Sequence, residues 1–308
     1  MNSNTYRKSV RFLICALVIL CVAICSLITL GGVLGGPDWD DVFSFFGVAP
    51  EKISIQSDFV RFIDIGQGDC ELICSNGNVA LIDSGPPDNA KRLVSKLRKT
   101  GIKNIDVLSI SHFHDDHYGG IEAVCDKFNI RNLIIPDILK TEKMPYEITN
   151  VSADMRKNNG NVYTAVQGMN TKVGDFEITV LGYFPDADNE NERSVVTVAR
   201  IDDKKFLFTG DMGKSTEKLL LKENLNLDCD VLKAGHHGSS NSTSKEFFNA
   251  CTPEYAVISC EKNNQYSHPH RETLDLFNKN GVKILRTDKN GDITFEVKDG
   301  EFEITCEK

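Results

Sequence analysis

Ser111-His112-Phe113-His114-Asp115-Asp116-His117 is the stretch on which the fold turns. It follows the apolar run Ile105-Asp-Val-Leu-Ser-Ile110, so a buried strand delivers four metal-ligating side chains, His112, His114, Asp116 and His117, onto one loop. Imidazole suits zinc and similar divalent cations, and carboxylate adds negative charge. Alternation along an extended loop aims His112 and His114 at one point and Asp116 and His117 at a second, which points to two neighbouring cations. A single histidine is most often a satisfied polar residue near a surface; four ligand types within six positions are not read that way. The seven histidines of the chain all fall in three clusters, the other two being His236-His237 in AGHHGSS and His268-Pro-His270 in YSHPH.

Working outward, the hairpin signal Asn76-Gly77 separates strands expected at 70–74 and 78–83, after one at 59–65. Helices and strands then alternate: helix 89–99, strand 105–110, helix 117–127, strand 132–135, helix 146–158 and strands 161–166 and 176–183. The second half continues with strands 194–201 and 204–209, helix 213–223, strand 229–233, helix 243–250, strand 255–259, helix 271–279 and strands 282–285, 292–297 and 301–305. This order gives an α/β class. His112, Asp211 and the pair His236-His237 each lie just past the end of an expected strand, which gathers them along one edge, as is usual for functional groups on loops of a rigid sheet. The acidic loop Pro185-Asp-Ala-Asp-Asn-Glu-Asn-Glu192 lacks calcium-loop spacing and is expected to be solvated.

The string HxHxDH, with Ala80-Leu-Ile-Asp83-Ser-Gly85 upstream and Phe206-Leu-Phe-Thr-Gly210-Asp211 downstream, resembles the metallo-β-lactamase fold hydrolases. More narrowly, Phe62-Ile-Asp64-Ile-Gly-Gln67-Gly-Asp69, Asp230-Val-Leu-Lys233 leading into His236-His237-Gly-Ser239, and Ser267-His268-Pro-His270 resemble the hydrolase domain of ComEC/Rec2 competence proteins. The resemblance runs from about residue 58 to 300. It implies an αββα sandwich of two mixed sheets with helices outside, and two divalent ions, Zn or Mn, as cofactors. By the same resemblance Asp211 bridges the two metals, Asp83 orients the ligand loop from behind, and His237 is the last ligand of the second metal. Two adjacent histidines do not separate ligand from neighbour by spacing, so His236 is kept as a catalytic or substrate-facing group. Asp116 is assigned a catalytic as well as a metal role. His268 and Ser267 are expected to contact a phosphate or protonate a leaving oxygen, and Ser194, Ser239 and His270 to line the substrate site.

One departure bears on the metals. Many members of the fold supply a third histidine to the first metal, where this chain reads Asn189-Glu-Asn-Glu-Arg-Ser194-Val-Val. With fewer nitrogen ligands and more oxygen, manganese becomes a rival to zinc.

The chain of 308 residues, 41% hydrophobic and 26% charged, has room for one sizeable domain and an anchor. Phe12 to Leu34 is an uncharged apolar run; at about 1.5 Å per residue it spans roughly 34 Å, enough for a bilayer core. Arg7, Lys8 and Arg11 precede it, and Asp38, Asp40 and Asp41 follow. That bias predicts residues 1–11 as a cytoplasmic tail, 12–34 as a transmembrane signal anchor, 35–57 as a linker and 58–308 as an extracytoplasmic hydrolase domain. Release after signal cleavage is the alternative, against which the run is long and no Ala-x-Ala precedes a break. The 308 residues hold no second apolar run of that length, so no multi-helix channel is expected within them. The cysteines outside the apolar run show no CxxC pairs, and no disulfide framework is expected.

A net charge of −9 disfavours loose binding to a phosphate backbone, although two divalent cations reverse the potential at the site itself. No serine elbow, Cys/His couple or Walker loop competes with the metal cluster. The expected chemistry is hydrolysis by a metal-bound hydroxide. The leading expectation is a phosphodiesterase or nuclease acting on DNA or a cell-envelope polymer. The alternatives are a lactone, lactam or thioester hydrolase and a non-catalytic DNA-uptake module, for which so nearly complete a ligand set is not required. Fold alone does not decide among substrates.

Overall fold

The computed structural model describes residues 17–30, 54–137 and 143–308, and its contacts divide the chain into Met1–Ile53 and Ser54–Lys308. In the first unit, residues 17–30 form a helix with Leu17, Ile19, Val22, Leu27 and Leu30 exposed. Among the described residues no helix is long and apolar enough to cross a membrane. The ends of the expected span, 12–16 and 31–34, and most of the expected linker lie outside the described residues.

In the second unit, strands β1 (Phe59–Phe62), β2 (Glu71–Ser75) and β3 (Asn78–Ile82) precede helix α1 (Ala90–Lys99) and strand β4 (Asn104–Ser109). Next come α2 (Asp115–Tyr118), α3 (Ile121–Lys127), β5 (Asn129–Ile135), α4 (Tyr146–Lys157), β6 (Asn161–Thr164), β7 (Asn170–Val173) and β8 (Phe176–Gly182). The second half runs β9 (Val196–Ile201), β10 (Lys204–Phe208), α5 (Lys214–Lys222), β11 (Val231–Lys233), α6 (Lys245–Cys251), β12 (Tyr255–Ile258), α7 (Arg271–Lys279), β13 (Lys283–Arg286), α8 (Thr287–Asn290), β14 (Ile293–Lys298) and β15 (Glu301–Cys306).

These strands form two mixed sheets, ordered β15-β14-β1-β2-β3-β4-β5-β6 and β13-β12-β11-β10-β9-β8-β7. Side-chain parity shows how they stack. Val60, Phe62, Ile73, Ala80, Ile82 and Val107 of the first sheet share a core with Phe176, Phe206, Phe208, Val231 and Val257 of the second. Their strand neighbours Leu207, Leu232, Ala256 and Ile258 point the other way, into a core with Phe247, Phe248 and Phe277 of α6 and α7. Leu72, Leu81 and Leu108, opposite in parity on the first sheet, are buried too. Strands covered on both faces read as apolar runs without alternation, which is why the sequence gives strand positions more readily than facing directions. The result is the αββα sandwich.

Three elements depart from expectation, one of them the short helix α8 (Thr287–Asn290), which was not expected. The helix expected at 117–127 is two helices, divided where Gly120 N–H donates to Gly85 O instead of into the helix; a Cβ on Gly120 would lie 2.2 Å from Ser84 O, so the ligand loop lies close against the turn after β3. Strand β7 is polar, with only Val173 buried, and is held as the outer arm of a hairpin with β8. The acidic loop is less solvated than expected: Glu190 Oε1 accepts from Phe113 N–H at 2.8 Å, and Glu192 accepts from Thr216 N–H, also at 2.8 Å, at the start of α5.

Candidate metal centre

Asp83, directly after strand β3, has φ 59°. Its carboxylate accepts from Ser111 N–H at 2.7 Å and from Ser111 Oγ–H at 2.6 Å. Oδ2 also accepts from His117 Nδ1 at 2.7 Å. One buried carboxylate thus ties the start of the ligand loop to its end and fixes a tautomer: with the proton on Nδ1, His117 presents Nε2 to the site. The rings of His112 and His117 lie 4.1 Å apart, and His112 Nε2 is 3.1 Å from His114 Nδ1. Ser111, His112 and His117 are buried, whereas His114 and Asp116 reach the cleft.

Asp211 follows β10. Its N–H donates to Ser194 Oγ at 3.0 Å, and Ser194 Oγ also lies 3.5 Å from His112 Nδ1. Ser194 is buried and braces two site loops where a histidine was absent from the expected pattern. Asp211 Oδ1 is 3.3 Å from His117 Nε2, while Oδ2 is 3.7 Å from His237 Nε2 and 3.6 Å from His236 Nε2. This carboxylate therefore stands between the two histidine clusters.

Beyond β11 the chain makes a tight turn in which His236 (φ 50°, ψ 51°) and His237 (φ 53°, ψ 27°) both adopt the left-handed conformation. Each such non-glycine residue costs on the order of 1–3 kcal/mol and persists where its surroundings fix it. The strain sends the two rings in different directions. His237 is buried, donates from Nδ1 to Ser259 O at 3.0 Å, and brings Nε2 to 3.1 Å from Asp116 Oδ2. The side chain of His236 is 25% exposed and lines the open cleft.

The electrostatics follow from this crowding. Burial alone would depress His117, but the Asp211 and Asp83 carboxylates raise its pKa well above the usual imidazole value. His237 is likewise opposed by burial and is pushed up to about 10 by Asp211 and Asp69. Asp116, despite partial burial, is held at about 2 by the His237 hydrogen bond and the His117 charge, and Asp211 lies well below the carboxylate range beside His237 and His117. His112 goes the other way, lowered by burial and by His117. Protons on His117 and His237 therefore occupy places that suit divalent cations.

The side chains fit such ions. His117 Nε2, Asp211 Oδ1 and Asp69 Oδ1 are buried without a hydrogen-bond partner. Ligand atoms of His112, His117 and Asp211, and of Asp116, His117 and His237, lie within 4.8 Å of one another. Imidazole and carboxylate donors in that spacing are a divalent-cation set. Of the predicted ligands, His112, Asp116, His117, Asp211 and His237 fall in these groups, while His114 adjoins them with Nδ1 3.1 Å from His112 Nε2 and Asp83 stands behind His117.

The substrate-side residues divide. His236 and His268 share a cleft of about 450 Å³ with Gln67, Phe113, Asn191 and Tyr266. The His268 ring is 5.4 Å from that of His236 and stacks on Tyr266 at 5.6 Å. His268 is lowered to about 4, first by burial and then by the His237 and His236 charges. Ser239, Ser267 and His270 serve the surrounding loops. Ser239 is buried, its Oγ accepting from Asn241 N–H. Ser267 lies in a turn at φ 59°, and His270 Nδ1 accepts from Ser240 N–H at 2.9 Å. Three residues to which the sequence reading gave no role stand out: Asp69, Lys233 and Tyr266. Lys233 had a usable signal, a cation at the end of the apolar run Val231-Leu232.

Comparison with known proteins agrees with this geometry. The sequence pattern of the Metallo-beta-lactamase superfamily matches residues 63–261. The chain is 32% identical over 259 residues to ComE operon protein 3 of Bacillus subtilis (strain 168), covering 78% of this chain and 33% of that protein. It is 31% identical over 285 residues to Competence protein ComA of Neisseria gonorrhoeae, covering 91% of this chain and 38% of the relative. The chain thus spans little more than a third of these relatives. Among solved structures, the metallo-beta-lactamase fold protein YhfI from Bacillus subtilis aligns with a TM-score of 0.50 at 12% identity, covering 78% of this chain and 99% of that one, a likeness of fold alone. The matched span holds the ligand loop after β4 and the aspartate after β10, and the chain belongs to the metallo-beta-lactamase superfamily.

Proposed function

We propose that this chain is a two-cation phosphodiesterase acting on DNA or on a phosphodiester polymer of the cell envelope. The observation that carries the reading is Asp211, which groups with His112 on one side and has Oδ2 3.7 Å from His237 Nε2 on the other, so that one carboxylate reaches residues assigned to each of two ions. Bound cations would lower the pKa of water and neutralise charge on the attacked group. The chain's own residues do the rest. His112, His114 and Asp211 would hold one ion, and Asp116, His117, His237 and Asp211 the other. Asp83 and Ser259 O hold a proton on Nδ1 of His117 and His237, so the proton a cation would displace is the one on Nε2.

His236 and His268 rim the open side of the cleft, where a phosphate oxygen would rest. Because His268 is neutral near pH 7, it offers one N–H for a hydrogen bond and carries no ready proton for the leaving oxygen. Water adds to phosphorus, the ester P–O bond breaks, and the departing alkoxide takes its proton from solvent. The two-cation site, the open cleft and the likeness to competence proteins support this substrate class. Zinc and manganese both suit the mixed nitrogen and oxygen donors.

The test is turnover by purified protein loaded with either metal, on bis-nitrophenyl phosphate, single-stranded DNA and a panel of lactones, lactams and thioesters. Phosphodiester cleavage is expected, with His268→Ala slowing nitrophenyl and alkyl esters alike and leaving metal content unchanged. Cleavage confined to the lactone, lactam or thioester panel would refute the substrate class. For placement in the cell we propose that residues 12–34 anchor the chain with the domain outside, so that protease added to intact cells digests residues beyond 50; protection until lysis would reverse that orientation.

A further inference from the structure

We propose that Lys233 and Asp69 form a buried positioning pair that aims His237 at the second cation, an inference that rests on the two-cation reading of the site. Lys233 ends β11, in the interior of the seven-stranded sheet, and its side chain is fully buried, 2.6 Å from Asp69 Oδ2. Its Nζ also donates to Ala234 O at 3.1 Å. Taking an ammonium out of water costs several kcal/mol and is tolerated only with close compensation. A lysine this deep at the floor of a metal cluster therefore calls for a reason beyond packing.

Asp69 supplies that reason. It lies on the connection between β1 and β2, in the opposite sheet, and is itself buried. With Oδ2 given to Lys233, its Oδ1 lies 3.2 Å from His237 Nδ1 and makes no hydrogen bond of its own. The same Nδ1 donates to Ser259 O. Both neighbours of that nitrogen only accept, so once a cation takes the place of the Nε2 proton the remaining proton sits on Nδ1 and Nε2 faces Asp116 and Asp211.

The connection carrying Asp69 is also locked to the ligand loop. Asp69 N–H donates to Asp116 O at 3.1 Å, and a Cβ on Gly68 would lie 2.4 Å from that same oxygen. Position and charge thus arrive together: a carboxylate behind an imidazole raises its strength as a ligand, and the lysine keeps that carboxylate ionised and in place. Asp83 holds His117 by a direct hydrogen bond, whereas Asp69 acts on His237 through charge at 3.2 Å, with Lys233 beneath it.

Titration of the full chain with Co²⁺, followed by visible absorption, reads occupancy and coordination with no substrate present. Two ions bound by the wild type establish the site on which the proposal stands; no uptake removes that reading and the proposal together. Asp69→Asn and Lys233→Met are each expected to weaken the more affected ion about 10- to 100-fold and to change its absorption bands. A pair that merely staples the two sheets would lower the melting temperature and leave affinity and bands as they were, and that result in folded variants overturns the proposal. Should either variant fail to fold, the wild type loaded with Zn²⁺ decides through two-bond ¹H–¹⁵N correlations of its histidines. His237 protonated on Nδ1 and coordinated through Nε2 is expected; coordination through Nδ1, or a proton on Nε2, overturns it.

Discussion

At the scale of single residues, the site is a competition between protons and cations for the same nitrogen atoms. His237 is raised to about 10 and His117 well above its usual value, so at pH 7 both carry a proton in the metal-free chain that an ion must displace. The sign follows. A histidine whose folded pKa exceeds its unfolded value stabilises the metal-free fold fully below about 6.5, and that stability is lost as pH rises through about 10 for His237. Cation affinity runs the opposite way and climbs over the same range. Calorimetric titration with Zn²⁺ or Mn²⁺ in buffers of differing ionisation enthalpy is expected to show protons released on binding at pH 7 and affinity increasing with pH; affinity flat from pH 6 to 9 would mean that His117 and His237 are not ligands. Asp211→Ala is expected to impair both ions at once, because its oxygens face both clusters, and to cut turnover at least 10²-fold on the scale of lost metal assistance. Elemental analysis showing full stoichiometry in that variant would take Asp211 out of the bridge.

At the scale of elements, the loops work because neighbouring turns leave them no slack. Gly120 sits where a methyl group would meet Ser84 O at 2.2 Å, and Ser84 itself donates to His117 O. Gly120→Ala must therefore push α2, which carries Asp116 and His117, away from the turn that holds Asp83. A loss of about 1–3 kcal/mol, the usual cost of overpacking, is expected in denaturant unfolding, with weaker cation binding; an alanine variant matching wild type in both would show that the turn yields freely. This same interval marks the reach of the sequence reading. The ligand loop, Asp211 and the strands that deliver them were legible because apolar runs end abruptly in metal-ligating residues. The break at Gly119-Gly120 was hidden, since the turn that Gly120 meets there, at Ser84, lies 36 positions earlier. The polar strand β7 has no burial signature of its own, and Lys233 with Asp69 could be paired only after two sheets were laid face to face. Choosing between His236 and His237 needed the turn geometry, as sequence spacing treats them alike.

At the scale of the whole molecule, charge sets the terms on which a polyanion can approach. The chain carries 35 Lys and Arg against 44 Asp and Glu, and its most basic helix, α1, has part of its charge already engaged. Arg92 pairs with Asp64 at 2.9 Å, and Lys96 with Asp292 and Glu307. Lys233 is buried against Asp69 and is closed to a substrate. Positive potential at the cleft must then come chiefly from bound cations, which are the largest local charges in such a site. Two consequences can be measured on single-stranded DNA by fluorescence anisotropy, using Ca²⁺ as an ion expected to fill the site with little cleavage. Binding should vanish in EDTA and return with the ion. Its dependence on salt should be shallow, because log affinity falls with log salt by about 0.7 per phosphate neutralised on a single strand, and two ions engage only a few phosphates. Tight binding that survives EDTA with a steep salt slope would place the nucleic-acid contact on a lysine and arginine surface away from the cleft, and the metal centre would then act on some other substrate.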